Sequence, residues 1–212
     1  MTVVITGASR GIGAGLAQAY RDRGEDVIAT TRGGTWSLDV THPQSIDAFA
    51  KGLDGQSVDL LVCNAGVYLD KGERLASGYT PDLWAHTFAA NVTGVFLTVQ
   101  ALLPNLRAAN AARIAIISSQ MASSERAGGG SYIYRSSKAA VLNLGRNLAV
   151  DLKAEGIAVG IYHPGWVITD MGGTSADITV DASVQGLVQR FDALDMNGTG
   201  CFETWDGRAH PY

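Results

Sequence analysis

A glycine-rich turn near the start of the chain limits the possible folds more than any other segment. It follows the apolar run Thr2–Thr6 and opens a helical pattern over Ile12–Arg23, and a second apolar run covers Asp26–Thr31. The turn consists of Gly7, Ala8, Ser9, Arg10, Gly11, Ile12 and Gly13. A strand, a tight turn, a helix and a further strand in this order form a βαβ unit with parallel strands. The beginning of the chain therefore predicts a layered α/β fold.

Apolar runs and helical patterns alternate along the rest of the chain. The further strand-like runs are Val58–Cys63, Arg113–Ser118, Ile157–Tyr162 and Gly200–Thr204, and Ser37–Val40 is a candidate for one additional brief strand. Helical patterns separate most of them, which is typical of a doubly wound, mainly parallel sheet with helices on both faces. With 212 residues and 46% hydrophobic content, we expect one Rossmann-type domain over residues 1–212.

The longest helical pattern covers Pro81–Ala109 and contains a proline. A proline inside a helix removes a backbone N–H donor, and its ring crowds the preceding turn. We therefore expect Pro104 to kink or interrupt this helix.

Charge and hydropathy argue against two classes of partner. The net charge of −4 and the absence of any Lys/Arg run provide no positive field for a phosphate backbone, so we expect no nucleic-acid partner. No apolar run reaches the roughly 18 residues that cross a membrane, so we expect no membrane partner and a soluble, cytoplasmic protein. Cys63 and Cys201 lie far apart in apolar runs, which predicts buried free thiols rather than a disulfide or a metal site.

The glycine-rich turn stands where a dinucleotide-binding loop would stand. Without side chains at Gly7, Gly11 and Gly13, backbone N–H groups can approach a pyrophosphate, and the positive end of the helix dipole adds attraction. However, the glycine spacing differs from the usual G-x-G-x-x-G, and a turn that only packs a strand against a helix also favours glycine. The turn alone leaves both interpretations open.

The residues after the second strand indicate which dinucleotide would bind. Proteins that bind NAD usually carry an acidic side chain here for the ribose 2′-hydroxyl, and Ala29-Thr30-Thr31 offers none. Arg32 follows the strand and Arg10 lies in the glycine-rich turn, so two guanidinium groups could flank a 2′-phosphate. This pattern favours NADP(H) over NAD(H), unless both arginines are simply solvated.

Tyr134 and Lys138 are the most informative pair of polar side chains. They lie in a helical stretch that runs to about Glu155, and their i, i+4 spacing places both on one face. A free phenol has a pKa near ~10, and a neighbouring cation would lower this pKa by favouring the phenolate. The pair could serve as an acid/base device, although most such pairs are ordinary helix surface.

Spaced motifs over essentially the whole chain resemble those of the short-chain dehydrogenase/reductase family, in the same order. Thr6-Gly7-x-x-x-Gly11-x-Gly13 resembles its cofactor loop, Asp39-Val40 its adenine-contacting pair, Asn64-Ala65-Gly66 the end of its fourth main strand, and Pro164-Gly165 with Val167 and Thr169 its nicotinamide loop. The segments His163–Gly173 and Asp206–Arg208 are similar, more particularly, to the C-factor and sniffer-like carbonyl reductase branch.

The resemblance implies a catalytic tetrad of Asn91, Ser119, Tyr134 and Lys138. In this family the tyrosine exchanges a proton with the substrate oxygen, and the serine hydrogen-bonds that oxygen. The lysine lowers the pKa of the tyrosine and binds the nicotinamide ribose, while the asparagine positions a water beside the lysine. Thr169 would orient the carboxamide group of the nicotinamide ring.

Two of these assignments leave alternatives open. The interval between Ser119 and Tyr134 is longer than is usual in the family, so the glycines at 128–130 must accommodate an insertion. Ser118 and Ser123 therefore remain competitors for the serine role. Asn64 and Asn91 could have structural roles only.

The side chains expected around the reacting carbon favour a hydrophobic ketone or aldehyde, although several could be core packing. They are Val67, Tyr68, Gln120, Met121, Trp166 and Met171. The segment after Met171 is short for a substrate lid, so we expect an open site. By resemblance, the long middle helices would pair subunits into a homodimer or homotetramer.

These features predict an NADP(H)-dependent oxidoreductase that reduces a ketone or aldehyde, or catalyses the reverse reaction. The alternative is a non-catalytic NADP-binding sensor or signalling protein with the same fold, which would be expected to lack the tyrosine or the lysine. An epimerase or dehydratase of the extended type would need a substrate domain for which 212 residues leave no room.

Overall fold

Six parallel strands form one sheet in a computed structural model that describes residues 1–212. The strands are β1 (Thr2–Ile5), β2 (Asp26–Ala29), β3 (Leu60–Cys63), β4 (Arg113–Ile117), β5 (Ala158–His163) and β6 (Phe202–Thr204). Their order across the sheet is β2-β1-β3-β4-β5-β6, and every pairing is parallel. The chain thus crosses over between β2 and β3, where a doubly wound sheet opens a crevice for ligands.

Helices cover both faces of this sheet. They are α1 (Gly11–Asp22), α2 (Pro43–Gly52), α3 (Pro81–Phe88), α4 (Gly94–Arg107), α5 (Tyr132–Asp151) and α6 (Val180–Ala193). One apolar core lies between the sheet and the helices α2, α4 and α5, and a second lies between the sheet and the helices α1 and α6. The central strands are covered on both faces, and their residues are accordingly almost all apolar. The predicted fold class is confirmed.

The interruption of the long helix lies elsewhere than predicted. The helical stretch from Pro81 contains a π-helical turn at Ala89–Thr93, and α4 then continues past Pro104 to Arg107. Only one N–H donor is missing at a proline, and the next turn stays closed because Ala108 N donates to Pro104 O over 3.1 Å. The prediction that Pro104 interrupts the helix is therefore wrong.

Two other expectations also need correction. Ser37–Val40 forms no strand: only an isolated bridge joins Ser37 to Thr31, and Asp39 turns the chain by accepting a hydrogen bond from Thr41 N.

The stretch Pro81–Arg107 is 27 residues long with a mean hydropathy of 1.3, so by length and composition it could cross a membrane. Charged and polar residues interrupt its apolar sequence, so the criterion of an uninterrupted apolar run did not identify it. In this fold it packs against α2 and α5 as a core helix.

All strands end at the same edge of the sheet because all of them run parallel. The segments that follow β1, β3, β4 and β5 carry the glycine-rich turn, Asn64, Ser119 and Pro164, respectively. The first turn of α5, with Tyr134, contacts the short 3-10 turn Gln120–Ala122 that follows β4. The topology thus collects the predicted site residues at one edge, where α/β proteins bind their ligands.

Candidate active site

The glycine-rich turn is held in place by the end of β3. Gly7 has φ +68°, and a Cβ there would lie 2.8 Å from Ala65 Cα. A Cβ on Gly13 would lie 2.4 Å from Gly7 O and 2.5 Å from Asn64 Nδ2. Asn64 Nδ2 donates to the carbonyl oxygens of Thr6 and Gly7, each over 3.0 Å. Asn64 therefore has a structural role, which the sequence left open, and the tight contacts explain why glycine is needed.

The first turn of α1 fits a pyrophosphate. Arg10 is the residue at the N-cap, and no side chain accepts a hydrogen bond from the first backbone N–H groups of the helix. Ser9 and Arg10 are exposed, and Ile12 lines the adjoining cleft. Free N–H groups at the positive end of a helix dipole are the usual donors to a phosphate. The residues present thus fit a dinucleotide cofactor.

The two arginines that were predicted to flank a 2′-phosphate have different surroundings. Arg32 is exposed in the turn after β2 and has no carboxylate partner. Arg10 forms an ion pair with Asp170, which links the glycine-rich turn to the segment after β5. Both side chains of this pair are about three-quarters exposed, so the pair adds little stability and can open.

Asp39 and Val40 lie between β2 and α2. The Asp39 carboxylate accepts hydrogen bonds from the hydroxyl and the backbone N–H of Thr41, over 2.6 Å and 2.9 Å. The hydroxyl bond is the main reason that the pKa of Asp39 is lowered. Val40 packs so closely on α4 that a Cβ on Gly94 would lie 2.5 Å from Val40 O. Both residues are thus fixed near the carboxyl edge of the sheet.

Tyr134 is buried at the start of α5 and faces the cleft. Its ring stacks on Tyr68 with centroids 4.2 Å apart, and the Tyr68 hydroxyl lies 2.5 Å from Ser131 Oγ. Burial raises the pKa of Tyr134 to about 12, and interaction with Ser119 opposes this shift. The direction is opposite to the one predicted from the nearby lysine, because the loss of water around a buried phenolate outweighs the other contributions.

Lys138 lies one turn further along α5 and is buried as well. Its Nζ is 5.7 Å from the centroid of the Tyr134 ring and donates to Ile117 O over 3.0 Å. Burial lowers the pKa of Lys138 to about 8. The two side chains are therefore brought together as predicted, and the lysine can lose its proton more readily than a solvated one.

Asn91 lies in the π-helical turn between α3 and α4. Its Oδ1 accepts from Val67 N over 2.8 Å, and its Nδ2 donates to Val67 O over 2.9 Å and to Ser137 Oγ over 3.0 Å. A Cβ on Gly66 would lie 3.1 Å from Asn91 Oδ1 and 3.5 Å from Lys138 Nζ. Asn91 is thus close to Lys138, and its side chain fastens the segment after β3 to α5.

The hydrogen bonds of the three candidate serines separate their roles. Ser118 Oγ donates to Lys138 O over 2.9 Å, and Ser123 Oγ donates to Tyr212 O over 3.2 Å. Ser119 Oγ accepts from Met121 N over 3.1 Å, which leaves its own proton available. Ser118 and Ser119 both line the cleft with Tyr134, so their hydrogen bonds decide between them. This pattern favours Ser119 as the serine that contacts a substrate.

The segment after β5 forms the opposite wall of the cleft. Gly165 has φ +90°, and a Cβ there would lie 2.4 Å from Ile178 Cδ1. Val167 is buried, and Pro164 O accepts from Ser183 Oγ over 2.6 Å. Thr169 Oγ1 accepts from Gly172 N over 3.1 Å, and its Cγ2 is 3.4 Å from the Cβ position of Gly11. The two cofactor segments predicted from the sequence therefore meet.

A cleft of about 300 Å³ lies between these walls. Of the six predicted substrate-side residues, five line it, namely Tyr68, Gln120, Met121, Trp166 and Met171. Val67 does not line it, and its backbone is bound by Asn91. Trp166 is 43% exposed and Met171 41% exposed, so the rim is open to solvent. A larger depression of about 540 Å³ lies between α2 and the end of α4, and Tyr134 and Lys138 do not line it.

Comparison with known proteins identifies the family. The family described as short chain dehydrogenase matches residues 31–180. The chain belongs to the short-chain dehydrogenase family. The C-signal protein of Myxococcus xanthus is 38% identical over 168 residues, which cover 78% of this chain and 99% of that protein.

Two solved structures of carbonyl reductases share the whole fold of this short-chain dehydrogenase. The NADPH-bound carbonyl reductase from chicken fatty liver has a TM-score of 0.91 and 31% identity, covering 100% of this chain and 98% of that chain. The carbonyl reductase Sniffer of D. melanogaster has a TM-score of 0.92 and 27% identity, covering 100% and 99%. The resemblance to the carbonyl reductase branch is thus confirmed.

Sequence reasoning missed two residues of this short-chain dehydrogenase site. Asp170 was passed over although it directly follows Thr169, and it pairs with Arg10. Asp70 was not singled out at all, yet it is fully buried against the backbone of Tyr134. The only signal in the sequence was a single acidic residue that follows a ten-residue stretch, residues 60–69, without any charged side chain.

Proposed function

We propose that this short-chain dehydrogenase is an NADP(H)-dependent carbonyl reductase that converts a ketone or aldehyde into an alcohol, or catalyses the reverse reaction. The observation that carries the proposal is the meeting of three side chains with the cofactor segments in one cleft. Tyr134 and Ser119 line the cleft, Lys138 is buried behind Tyr134, and the free first turn of α1 opens onto the same space. Hydride transfer to a carbonyl needs a bound dinucleotide beside a group that gives a proton to the carbonyl oxygen, and these residues could provide both.

Tyr134 would act as the acid/base. A bound NADPH would supply the hydride that the carbonyl carbon accepts, and the carbonyl oxygen would take the proton of the Tyr134 hydroxyl. Because burial raises the pKa of Tyr134 to about 12, the phenol carries its proton at neutral pH and is ready to donate it. These groups favour the reducing direction at neutral pH.

Ser119 and Lys138 would assist Tyr134. The free proton of the Ser119 hydroxyl can be donated to the carbonyl oxygen, which holds it beside the phenol and stabilises the charge that develops there. Lys138, with its pKa lowered to about 8, can return a proton towards Tyr134 after the reaction and can bind the cofactor ribose. Asn91 would position a water beside Lys138, as the family resemblance implies.

The preference for NADPH would depend mainly on Arg32. Its guanidinium has no carboxylate partner, and no acidic side chain follows β2 in its place. Arg10 could join Arg32 at a 2′-phosphate after leaving Asp170. The carbonyl reductase from chicken fatty liver binds NADPH, which supports the same choice for this chain.

The substrate is proposed to be an apolar or aromatic carbonyl compound. Met121, Trp166 and Met171 give the cleft apolar walls, and the exposed rim leaves room for varied substituents. We further propose a soluble, cytoplasmic homodimer or homotetramer, with neither a nucleic-acid nor a membrane partner. Light scattering after size exclusion tests the oligomer, and a mass near 22.2 kDa would exclude it.

The first experiment is NADPH consumption by the purified protein with a panel of aldehydes, ketones and diketones, and with NADH in parallel. Tyr134→Phe should lower kcat by about a hundredfold or more, because it removes the proton and little else. Tyr132→Phe is the matched control, since Tyr132 is an exposed tyrosine two residues away on the same helix. Equal activity of Tyr134→Phe and wild type would refute the catalytic role.

A second candidate function is signalling by an NADP-binding protein without turnover. The 38% identity to the C-signal protein is the observation that favours it. Tight binding of NADPH, measured by fluorescence, with no turnover of any compound in the panel would support this function over catalysis.

A further inference from the structure

Asp70 is a buried carboxylate that no ion pair neutralises. It lies in the segment that follows β3 and has a relative exposure of 0%. None of the seven salt bridges in the molecule includes it. Burying a charged group is costly unless hydrogen bonds compensate for the lost water. The partners of Asp70 must therefore supply that compensation.

Those partners are the first backbone N–H groups of α5. Asp70 Oδ2 accepts from Ile133 N over 2.8 Å, and Tyr134 N lies 3.2 Å from Oδ1 and 3.3 Å from Oδ2. A helix normally receives such bonds from the side chain of its own N-cap residue. Here the N-cap residue, Ser131, has φ +46° and makes no capping bond, while its hydroxyl contacts Tyr68. Asp70 replaces the missing cap from 63 residues away.

The second bonded amide belongs to Tyr134 itself. The carboxylate thus fixes the backbone from which the phenol projects, and Tyr68 from the same segment stacks on the phenol ring. We infer that Asp70 is a positioning residue that holds Tyr134, through the first turn of α5, in the place from which the phenol reaches a substrate. The inference rests on the proposed role of Tyr134 as acid/base.

The charge of Asp70 has a second, smaller effect on Tyr134. The negative charge of Asp70 contributes to raising the pKa of Tyr134, in the same direction as the larger effect of burial. Ser119, Tyr68 and Lys138 also lie close to the phenol, and Lys71 and Gln120 line the same cleft. The neighbouring His163 is neutral at pH 7 because burial lowers its pKa to about 3. Asp70 is therefore the carboxylate that favours the protonated phenol.

The test compares Asp70→Asn and Asp70→Ala with a matched control. Asp195 also accepts two backbone N–H bonds, from Asn197 and Gly198, but it lies in the exposed loop before β6, at the opposite edge of the sheet. Asp195→Asn makes the same chemical change far from Tyr134. With a carbonyl substrate and NADPH, Asp70→Asn should lower kcat about tenfold and Asp70→Ala about a hundredfold, with KM within about twofold, because misplacement affects the reaction more than binding.

Hydrogen exchange of single amides, measured by NMR, separates positioning from general loss of stability. In Asp70→Asn the amides of Ile133 and Tyr134 should exchange at least about tenfold faster, while amides of the central strands keep their wild-type rates. Faster exchange throughout the chain, or kcat values of both Asp70 variants equal to that of Asp195→Asn, would overturn the inference.

One measurement on the wild-type protein tests the bond to Asp70 without a variant and without turnover. The amide of Ile133 should be protected, whereas that of Asp181, at the equivalent position of α6, has no acceptor and should exchange freely. Equal exchange at both positions would contradict the bond to Asp70. If the wild type turns over no substrate, the proposed reaction fails while this measurement still decides whether Asp70 anchors Tyr134.

Discussion

Replacing Gly7 by alanine should damage both stability and cofactor binding, and a second glycine separates the two effects. Gly24, at the end of α1, has φ +77° and no atom within 4 Å of a Cβ position. Gly24→Ala therefore adds only the cost of a left-handed backbone, about 1 kcal/mol. Gly7→Ala has the same backbone cost, and in addition its new Cβ would lie only 2.8 Å from Ala65 Cα.

That contact cannot be relieved cheaply. Ala65 N donates to Thr6 Oγ1 over 3.0 Å, so the backbone that the new methyl group meets is itself anchored. Overpacking of this kind costs a further 1–3 kcal/mol, which gives a total of roughly 2–4 kcal/mol for Gly7→Ala. If the turn instead moves away from Ala65, the first amides of α1 move with it. The Kd of NADPH should then rise about tenfold or more, equivalent to about 1.4 kcal/mol.

Urea unfolding and NADPH fluorescence titration of the two variants measure these quantities. Gly24→Ala should keep the wild-type Kd and lose about 1 kcal/mol in the free energy of unfolding. Gly7→Ala should show the larger loss and the weaker binding together. If both variants lose the same stability and bind NADPH as the wild type does, the turn does not cradle the phosphates and the contact with Ala65 is of no consequence.

Further predictions concern the chemistry of the cleft. Arg32→Ala should raise the KM for NADPH about tenfold and leave the KM for NADH within about twofold, since a charge-assisted hydrogen bond contributes about 1.5–3 kcal/mol. Initial rates with both cofactors check this. Equal changes in the two KM values would exclude a contact between Arg32 and the 2′-phosphate. Ser119→Ala should lower kcat about a hundredfold, whereas Ser123→Ala, which removes bonds to Tyr212 O and Arg126 N outside the cleft, should not. Because the pKa of Tyr134 is raised to about 12, the phenol keeps its proton, so reduction should stay level from about pH 6 to 7 and fall only above about pH 8, where Lys138 loses its proton, while alcohol oxidation rises with pH. If the reduction rate already falls by half as the pH is raised from about 6 to 7.5, this assignment is contradicted.

Local patterns were sufficient to predict the frame of the fold and its central residues. The glycine-rich turn is contiguous, and Tyr134 and Lys138 are one helical turn apart, so their neighbourhood follows from the period of the helix. Apolar runs of five or six residues identified all six strands because parallel strands are buried on both faces. Their carboxyl ends then had to meet at one edge.

Several features were mispredicted because competing local signals are settled by packing. The helix from Pro81 is interrupted at the π-helical turn that presents Asn91, where the side chain binds Val67 and Ser137, and not at Pro104. Ser37–Val40 has strand-like residues but hardly any partner for its backbone. In both cases the deciding contacts come from parts of the chain that the local pattern does not include.

The sequence by itself determined which residues could perform the chemistry, because residue type and spacing are local properties. Only the tertiary structure decided how these residues are tuned. Burial, which exists only in the folded chain, raises the pKa of Tyr134 where a neighbouring lysine predicted the opposite. Packing of the segment after β3 against α5 makes Asp70 the cap of a helix 63 residues further along the chain. No period or spacing encodes such a contact, since it depends on which strands are neighbours in the sheet.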